Sequence, residues 1–515
     1  MVTQSVKRPE HTTQLDRFLT GVERAGNALP HPFWLFWILL VIVAVLSAVL
    51  SELGVEVVDP ATGESVGVRN ALTINSLRDM FLGAEDSFMS FGPFATVVIV
   101  MLGVAVSERS GLFEAIARRS LANVSPRYVT LVVALGGVLG KFLSDSAYVV
   151  LIPLGAIAFR AVGRSPLMGM IVAFVSINAA GDANPLIAPG DIVFARLATE
   201  AAQLIDPNVT VRPTDNMFFT TVSAFVLAIT ITLVVELLLR RRESTLEVDA
   251  DSSLESLQVS TGVTETVETT ALRRTGLAAL GFALVLVSLL VWSGSPLRGP
   301  EGEFLDSPFM NGIAFVFLVF FLLVGFVYAR SVGRIKDSAS IPGFMAEGLG
   351  SITPLIVLFF AVSQFIAVFE YTNMSTIAAV SGAEGIGRLG LPPIALFPII
   401  LLLVAVMNLV ITSGQALWSL VAPILVPMLM LVAIEPQTTM ALYRISDSVT
   451  NSITPMSSSF VLCVGYLQTL NKKAGIGTLV SFTLPIATVM MIVWFALFIA
   501  WYLIGIPLGP GAPVR

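Results

Sequence analysis

The chain has 515 residues, 55% hydrophobic and only 12% charged, with a formal net charge of −6 and a mean hydropathy of +0.87. Soluble globular proteins carry about 25% charged residues, so the composition excludes that class. The one cysteine, Cys463, excludes an intrachain disulfide framework, and with only His11 and His31 the usual zinc clusters are absent and any proton relay is left to carboxylates.

The run "PFWLFWILLVIVAVLSAVL", Pro32 to Leu50, starts too late and runs too long for an ordinary signal peptide. It reads as a retained first helix behind a cytoplasmic segment, residues 1–31. Uncharged runs of about 18 or more residues are membrane spans. Nine are expected, at 32–51, 92–108, 165–198, 216–239, 273–293, 309–328, 341–370, 440–467 and 476–505. Two further apolar stretches, 128–160 and 393–434, are interrupted by "GKFLSDS" and "NLVITSGQ". Their halves are too short to cross a core of about 30 Å as straight helices. Each is expected to be a re-entrant hairpin, with its irregular backbone kept away from lipid.

The distribution of basic residues supports this count. With the N-terminus cytoplasmic, the inside segments hold Arg118, Arg119, Arg240, Arg241, Arg242, Lys472 and Lys473 among many others. The outside segments hold Arg69, Arg78, Arg212, Arg298, Arg388 and Arg515. Making either interrupted stretch a full crossing would put basic clusters outside. The first hairpin then enters from the cytoplasm and the second from outside, and the C-terminus is periplasmic or extracellular. Residues 240–272, "RRRESTLEVDADSSLES" and onward, are rich in Ser, Thr and acids and read as a flexible cytoplasmic linker between a first half, 32–239, and a second half, 273–508.

The halves read as distant copies. "LSDSAYVVLIP" (Leu143 to Pro153) precedes "GDANPLIAPGD" (Gly181 to Asp191), and "TSGQALWSLVAP" (Thr412 to Pro423) precedes "SVTNSITP" (Ser448 to Pro455). In each half a Ser-bearing tip is followed by an Asn-containing break inside the next span. Hairpins entering from opposite faces make this an inverted-topology repeat, the pattern of secondary transporters whose broken helices meet near the midplane.

The segments "SDSAYVVLIPLGAIAFRAVGRSPLMGM", "SGQALWSLVAPILVPMLML" and "YRISDSVTNSITPMSS" resemble the p-aminobenzoyl-glutamate transporter (AbgT) family, in order and over nearly the whole chain. The Arg-x-x-Asp-Ser-x-x-Asn run from Arg444 to Asn451 is the most specific part. The resemblance implies an all-α integral membrane protein of nine spans and two hairpins, with a scaffold region and a transport region. It implies a homodimer in a bacterial cytoplasmic membrane. It also implies elevator-type, ion-gradient-driven movement of p-aminobenzoyl-glutamate-like conjugates or sulfonamide antimetabolites, in or out. The expected partners are the lipid bilayer and an anionic aromatic small molecule; no cofactor beyond a coupling Na+ or H+, no nucleic acid and no catalysis are expected.

Arg444 and Asp447 are three apart and share a helix face. They are either a self-neutralising ion pair or a working site in which Arg444 meets a substrate carboxylate and Asp447 serves a coupling ion. By the resemblance, Asn408 is a sodium ligand with Asp447; otherwise it is a packing amide. Trp418 is a candidate wall for an aromatic ring, with Ser413, Gly414 and Gln415 at the hairpin tip as carboxylate binders and Pro436 and Pro455 as further substrate-site positions. Asp191 matches the family's functional acid, either a protonatable group or ligand or, alternatively, a solvated span-end carboxylate. Ser144, Asp145, Asp182, Asn184 and Asn451 complete the candidates for ion coupling.

Three positions depart from the family pattern. The first break is usually Gly-aromatic-Ser-Ala-Asn, and here "GDANPL" adds Asp182 and Pro185; Gln415 replaces a small residue; Ser446 replaces a glycine. An added acid disfavours an anionic substrate unless it is protonated, paired or ion-bound. A sodium-coupled dicarboxylate carrier of related architecture is the alternative. A channel has no need of paired hairpins, and a Ser–His protease is excluded by where the histidines lie.

Overall fold

A computed structural model describes residues 32–58, 63–121, 125–140, 146–249, 264–292, 294–299, 307–337 and 339–515. Among these the chain is helical apart from one short antiparallel pair, β1 (Glu56–Val58) and β2 (Ser65–Gly67), and an isolated bridge near the C-terminus. The first half runs α1 (Pro32–Glu52), α2 (Ile74–Met89), α3 (Gly92–Arg109), α4 (Leu112–Leu121), α5 (Val129–Gly140), α6 (Ser146–Ala161), α7 (Pro166–Ala179), α8 (Pro189–Gln203) and α9 (Met217–Val234). The second runs α10 (Glu265–Val291), the short α11 (Pro308–Asn311), α12 (Ile313–Ser331), α13 (Ser340–Tyr371), α14 (Met374–Leu389), α15 (Pro393–Asn408), α16 (Gly414–Met430), α17 (Pro436–Asn451), α18 (Ser458–Leu470) and α19 (Ile476–Ile504).

Seven stretches among the described residues are long and apolar enough to cross a membrane: α1, α2 with α3, α9 with its following turn, α10, α12, α13 and α19. This is a multi-spanning, all-α membrane fold. The expected spans 165–198 and 440–467 are each two short helices, α7 and α8, and α17 and α18, separated by "AGDANPLIA" and "SITPMS". The interrupted stretches are likewise helix pairs, α5 with α6 and α15 with α16. Proline stands in the first turn of α3, α7, α8 and α17, where its missing N–H has no intrahelical partner to lose.

Helices α2, α4 and α14 lie outside the expected spans. The α2 helix carries Arg78, Asp79, Glu85 and Asp86 and so falls below a purely apolar criterion, while Thr73 caps its start by accepting from Ser76 N–H. Glu265 and Glu268 stand in the first turn of α10, where acids suit the helix dipole. Within the expected linker, Asp249 accepts from Lys472 N–H (2.8 Å) and its own N–H donates to the Leu470 carbonyl (2.8 Å).

Two contacts fix how the helices meet. Gly155 of α6 and Gly169 of α7 face each other so closely that a Cβ on Gly169 would lie 2.1 Å from the Gly155 carbonyl oxygen. Below them Arg164, in the α6–α7 connection, pairs with Glu236 after α9 and with Glu243 (2.9 Å), and its guanidinium stacks 4.5 Å from the Phe159 ring. That network ties α7 to the end of α9 and to the start of the linker.

The start of α3 receives no side-chain cap from Phe91; instead Glu200, on α8, accepts from Gly92 N–H at 2.8 Å. Glu200→Ala is therefore expected to cost about 1 kcal/mol, as loss of an N-cap does, seen as a lower unfolding temperature in detergent. Equal melting of variant and wild type would show that water replaces the carboxylate.

Candidate functional site

The interrupted helices surround a cavity of about 610 Å³, within the range of small-ligand sites. Its polar wall comes from the first break (Asp182, Asn184), the start of α8 (Gly190, Asp191), the tip before α16 (Ser413 to Gln415), and Asp447 and Asn451 of α17. Its apolar wall comes from Val97, Val100 and Met101 of α3 and Leu355 and Leu358 of α13.

The charged centre is an ion pair between Arg444 of α17 and Asp191 of α8. Arg444 is 1% exposed, with its guanidinium 5.1 Å from the Phe194 ring. Asp191 also accepts from Ala188 N–H (2.6 Å) and so closes the first turn of its helix. The self-neutralising Arg444–Asp447 alternative is thereby corrected: the carboxylate paired with Arg444 lies 253 positions away. The idle, solvated alternative for Asp191 falls with it. Packing of α8 against both α16 and α17 makes this pairing, and a buried guanidinium requires it.

Asp447 sits over the hairpin tip. A Cβ on Gly414 would be 2.6 Å from Asp447 Oδ2, so only glycine lets the tip approach this closely. Tyr443 Oη donates to the Gly414 carbonyl (2.7 Å), and Asp447 Oδ1 lies 3.4 Å from the same hydroxyl. Ser413 caps α16 by accepting from Ala416 N–H. Asn408 donates to the Asp447 carbonyl and to Thr450 Oγ1, both at 2.7 Å, while its own Oδ1 is buried with no hydrogen-bond partner. The orphaned amide oxygen is a ligand of the kind that a hard cation such as sodium takes. Among the described residues no cluster of three or more His, Cys, Asp or Glu side chains could hold a metal.

Trp418 is corrected as a cavity wall. It is fully buried, donates its indole N–H to the Phe194 carbonyl (3.0 Å) and packs 4.5 Å from the Tyr443 ring. An aromatic residue that does line the wall is Phe194, three positions after Asp191 on α8; that spacing puts both on one helix face and is the signal that could have found it. Pro436 is also off the cavity, buried at the start of α17 beside Gln437 and Thr438, which hold the C-terminal tail through the Pro513 and Val514 carbonyls. Pro455 lies in the second break, outside the lining. Ser144 and Asp145 lie outside the described residues.

Sequence reasoning also missed a hydroxyl cluster. Tyr148 Oη (2.9 Å) and Ser459 Oγ (3.3 Å) both donate to Asn178 Oδ1, and Ser457 and Ser459 share a hydrogen bond (2.8 Å). All four residues line the cavity, and Asn178 joins the two broken helices.

A multi-spanning helical fold whose interrupted helices surround a ligand-sized cavity beside a buried ion pair is the architecture of a membrane transporter. The chain belongs to the AbgT putative transporter family, which it matches over residues 17–515. It is 32% identical over 501 residues to the p-aminobenzoyl-glutamate transport protein of Escherichia coli (strain K12), covering 97% of both chains. The solved structure of the Alcanivorax borkumensis YdaH transporter, described as having an unusual topology, matches with a TM-score of 0.87 and 35% identity over 93% of this chain and 100% of that one. Neisseria gonorrhoeae MtrF, described as illuminating a class of antimetabolite efflux pumps, matches with a TM-score of 0.89 and 35% identity over 96% of this chain and 100% of its own.

Proposed function

We propose that this chain is an ion-gradient-driven secondary transporter of p-aminobenzoyl-glutamate-like aromatic conjugates, with sulfonamide antimetabolites as a second cargo. The observation that carries the reading is the Arg444–Asp191 pair: Asp191 lines the cavity, and the guanidinium it holds is enclosed outside the lining. An arriving substrate carboxylate competes with Asp191 for the guanidinium, and a cation or proton compensates the displaced acid. Substrate and coupling ion are then linked through one pair of side chains. Asp447 and Asn408 supply oxygen to the ion, and the Ser413–Gln415 tip, Asp182 and Asn451 complete the polar lining. Phe194 and the apolar face of α3 and α13 receive the ring.

In this reading α5–α6 and α15–α16 are re-entrant hairpins entering from opposite sides of an inner membrane, within two inverted halves, 32–239 and 273–508. The N-terminus is cytoplasmic and the C-terminus periplasmic. The chain works as a homodimer by an elevator-type motion of the hairpins and broken helices. The match in length and fold to the relatives supports a shared architecture, and the distribution of basic residues supports the orientation.

Flux into proteoliposomes under imposed sodium or proton gradients tests the function, with p-aminobenzoyl-glutamate, a sulfonamide and succinate as cargo. An aromatic cargo is expected to move under one gradient, and Arg444→Ala is expected to reduce its flux more than tenfold, the loss of a charge-assisted hydrogen bond. Movement of succinate alone would select the dicarboxylate carrier.

A further inference from the structure

Asn184 is 5% exposed and stands on the cavity wall. Its Oδ1 accepts from Leu186 N–H at 2.9 Å, closing a turn within the first break. Its Nδ2 is buried and meets no acceptor. Flipping the amide would set its NH2 against the Leu186 N–H, so the backbone fixes which end is turned away from the turn. The unmet capacity is therefore a donor's. What Asn184 lacks is an acceptor oxygen, not a cation.

The surrounding charges sharpen the assignment. Asp182, Asp191 and Asp447 line the same cavity, and the buried guanidinium of Arg444 is engaged by Asp191. A neutral N–H donor can hold a carbonyl or carboxylate oxygen there without adding to the charge. The start of α8 lines the same cavity: Gly190 is in the helix's first turn, and a Cβ built there would meet nothing within 4 Å. Backbone amides of a first turn favour an acceptor oxygen.

We propose that Asn184, with the first turn of α8, is the subsite for an acceptor oxygen of the substrate, either the amide carbonyl or a carboxylate, and takes no part in binding the coupling ion. This rests on the proposed transport function and deepens it. It also takes Asn184 out of the ion-coupling set.

Asn184→Asp keeps an oxygen for the Leu186 N–H and removes the donor; Asn184→Ser, whose hydroxyl can make the same turn, is the second variant should the first fail to fold. Binding of p-aminobenzoyl-glutamate, p-aminobenzoate and a sulfonamide to purified protein would be measured across a sodium and proton titration. Both variants are expected to weaken p-aminobenzoyl-glutamate binding about tenfold or more, as loss of a buried hydrogen bond to a charged or strongly polar group does. In Asn184→Ser, which adds no charge, the half-saturating ion concentration is expected to stay within about twofold, since the donor contacts no ion. Weaker binding of p-aminobenzoyl-glutamate alone identifies a glutamate carboxylate as partner, since p-aminobenzoate lacks that part; equal weakening of p-aminobenzoate identifies the benzoyl oxygen, which both probes carry at the same carbon. Unchanged substrate binding in both variants, with or without a shifted ion titration, overturns the assignment. A wild type that binds none of the three probes overturns the transport reading, and the subsite with it.

Discussion

Asp191→Ala is expected to abolish transport and to destabilise the protein by about 3–5 kcal/mol, the usual cost of removing one partner from a buried ion pair. Arg444 is enclosed, its Nε already lacks a hydrogen-bond partner, and Asp191 is the carboxylate that pairs with it. Without that acid the guanidinium is left as an uncompensated charge among Phe194 and the packed faces of α8 and α17. The double variant Asp191→Ala/Arg444→Leu removes both charges and is expected to recover most of the lost stability, because an apolar replacement of a buried pair is often neutral. Transport is expected to stay lost. Thermal unfolding in detergent and flux in proteoliposomes read the two effects separately. A double variant that transports at the wild-type rate would remove the pair from the proposed mechanism.

Gly169→Val is expected to prevent assembly of the first half, and Gly169→Ala to cost about 1–3 kcal/mol, the range for overpacking. The reason is backbone contact: the added carbon would lie 2.1 Å from the Gly155 carbonyl oxygen and 2.6 Å from its carbon. No rotamer change relieves a clash with main chain, so α6 and α7 would have to move apart. Arg164 binds their connection to Glu236 and Glu243 and opposes that separation. Gly276→Ala in α10 is the control, since a Cβ there meets nothing within 4 Å and the helix gains an alanine. Monodisperse yield and melting temperature check both. A Gly169→Ala variant as stable as Gly276→Ala would mean that the helices are free to shift.

The parts of this architecture legible in the sequence were those written locally. The breaks around Asn184 and Asn451, the tip at Ser413–Gly414 and the charged run from Arg444 stood out because polar residues and Pro interrupt apolar runs. The pairing of Arg444 was not legible: its neighbour Asp447 is three residues away, whereas its carboxylate, Asp191, arrives from the other half through helix packing. Trp418 was misread for a related reason. A helix residue can face a cavity or the protein, and only the arrival of the Phe194 carbonyl and the Tyr443 ring turns this one inward. The α2 helix was missed because its charged face lowers its hydropathy, and the docked end of the linker because Asp249 reaches partners more than 200 positions on.

Cys463 lies on α18 with none of its surface exposed, and it is the only cysteine in the chain. A thiol-reactive probe needs access to sulfur, and a buried apolar setting keeps a cysteine inert. The natural protein thus supplies a silent background for labelling. A single cysteine introduced on a loop or at a hairpin tip would report its own side of the membrane and its own accessibility, with no prior substitution in the fold.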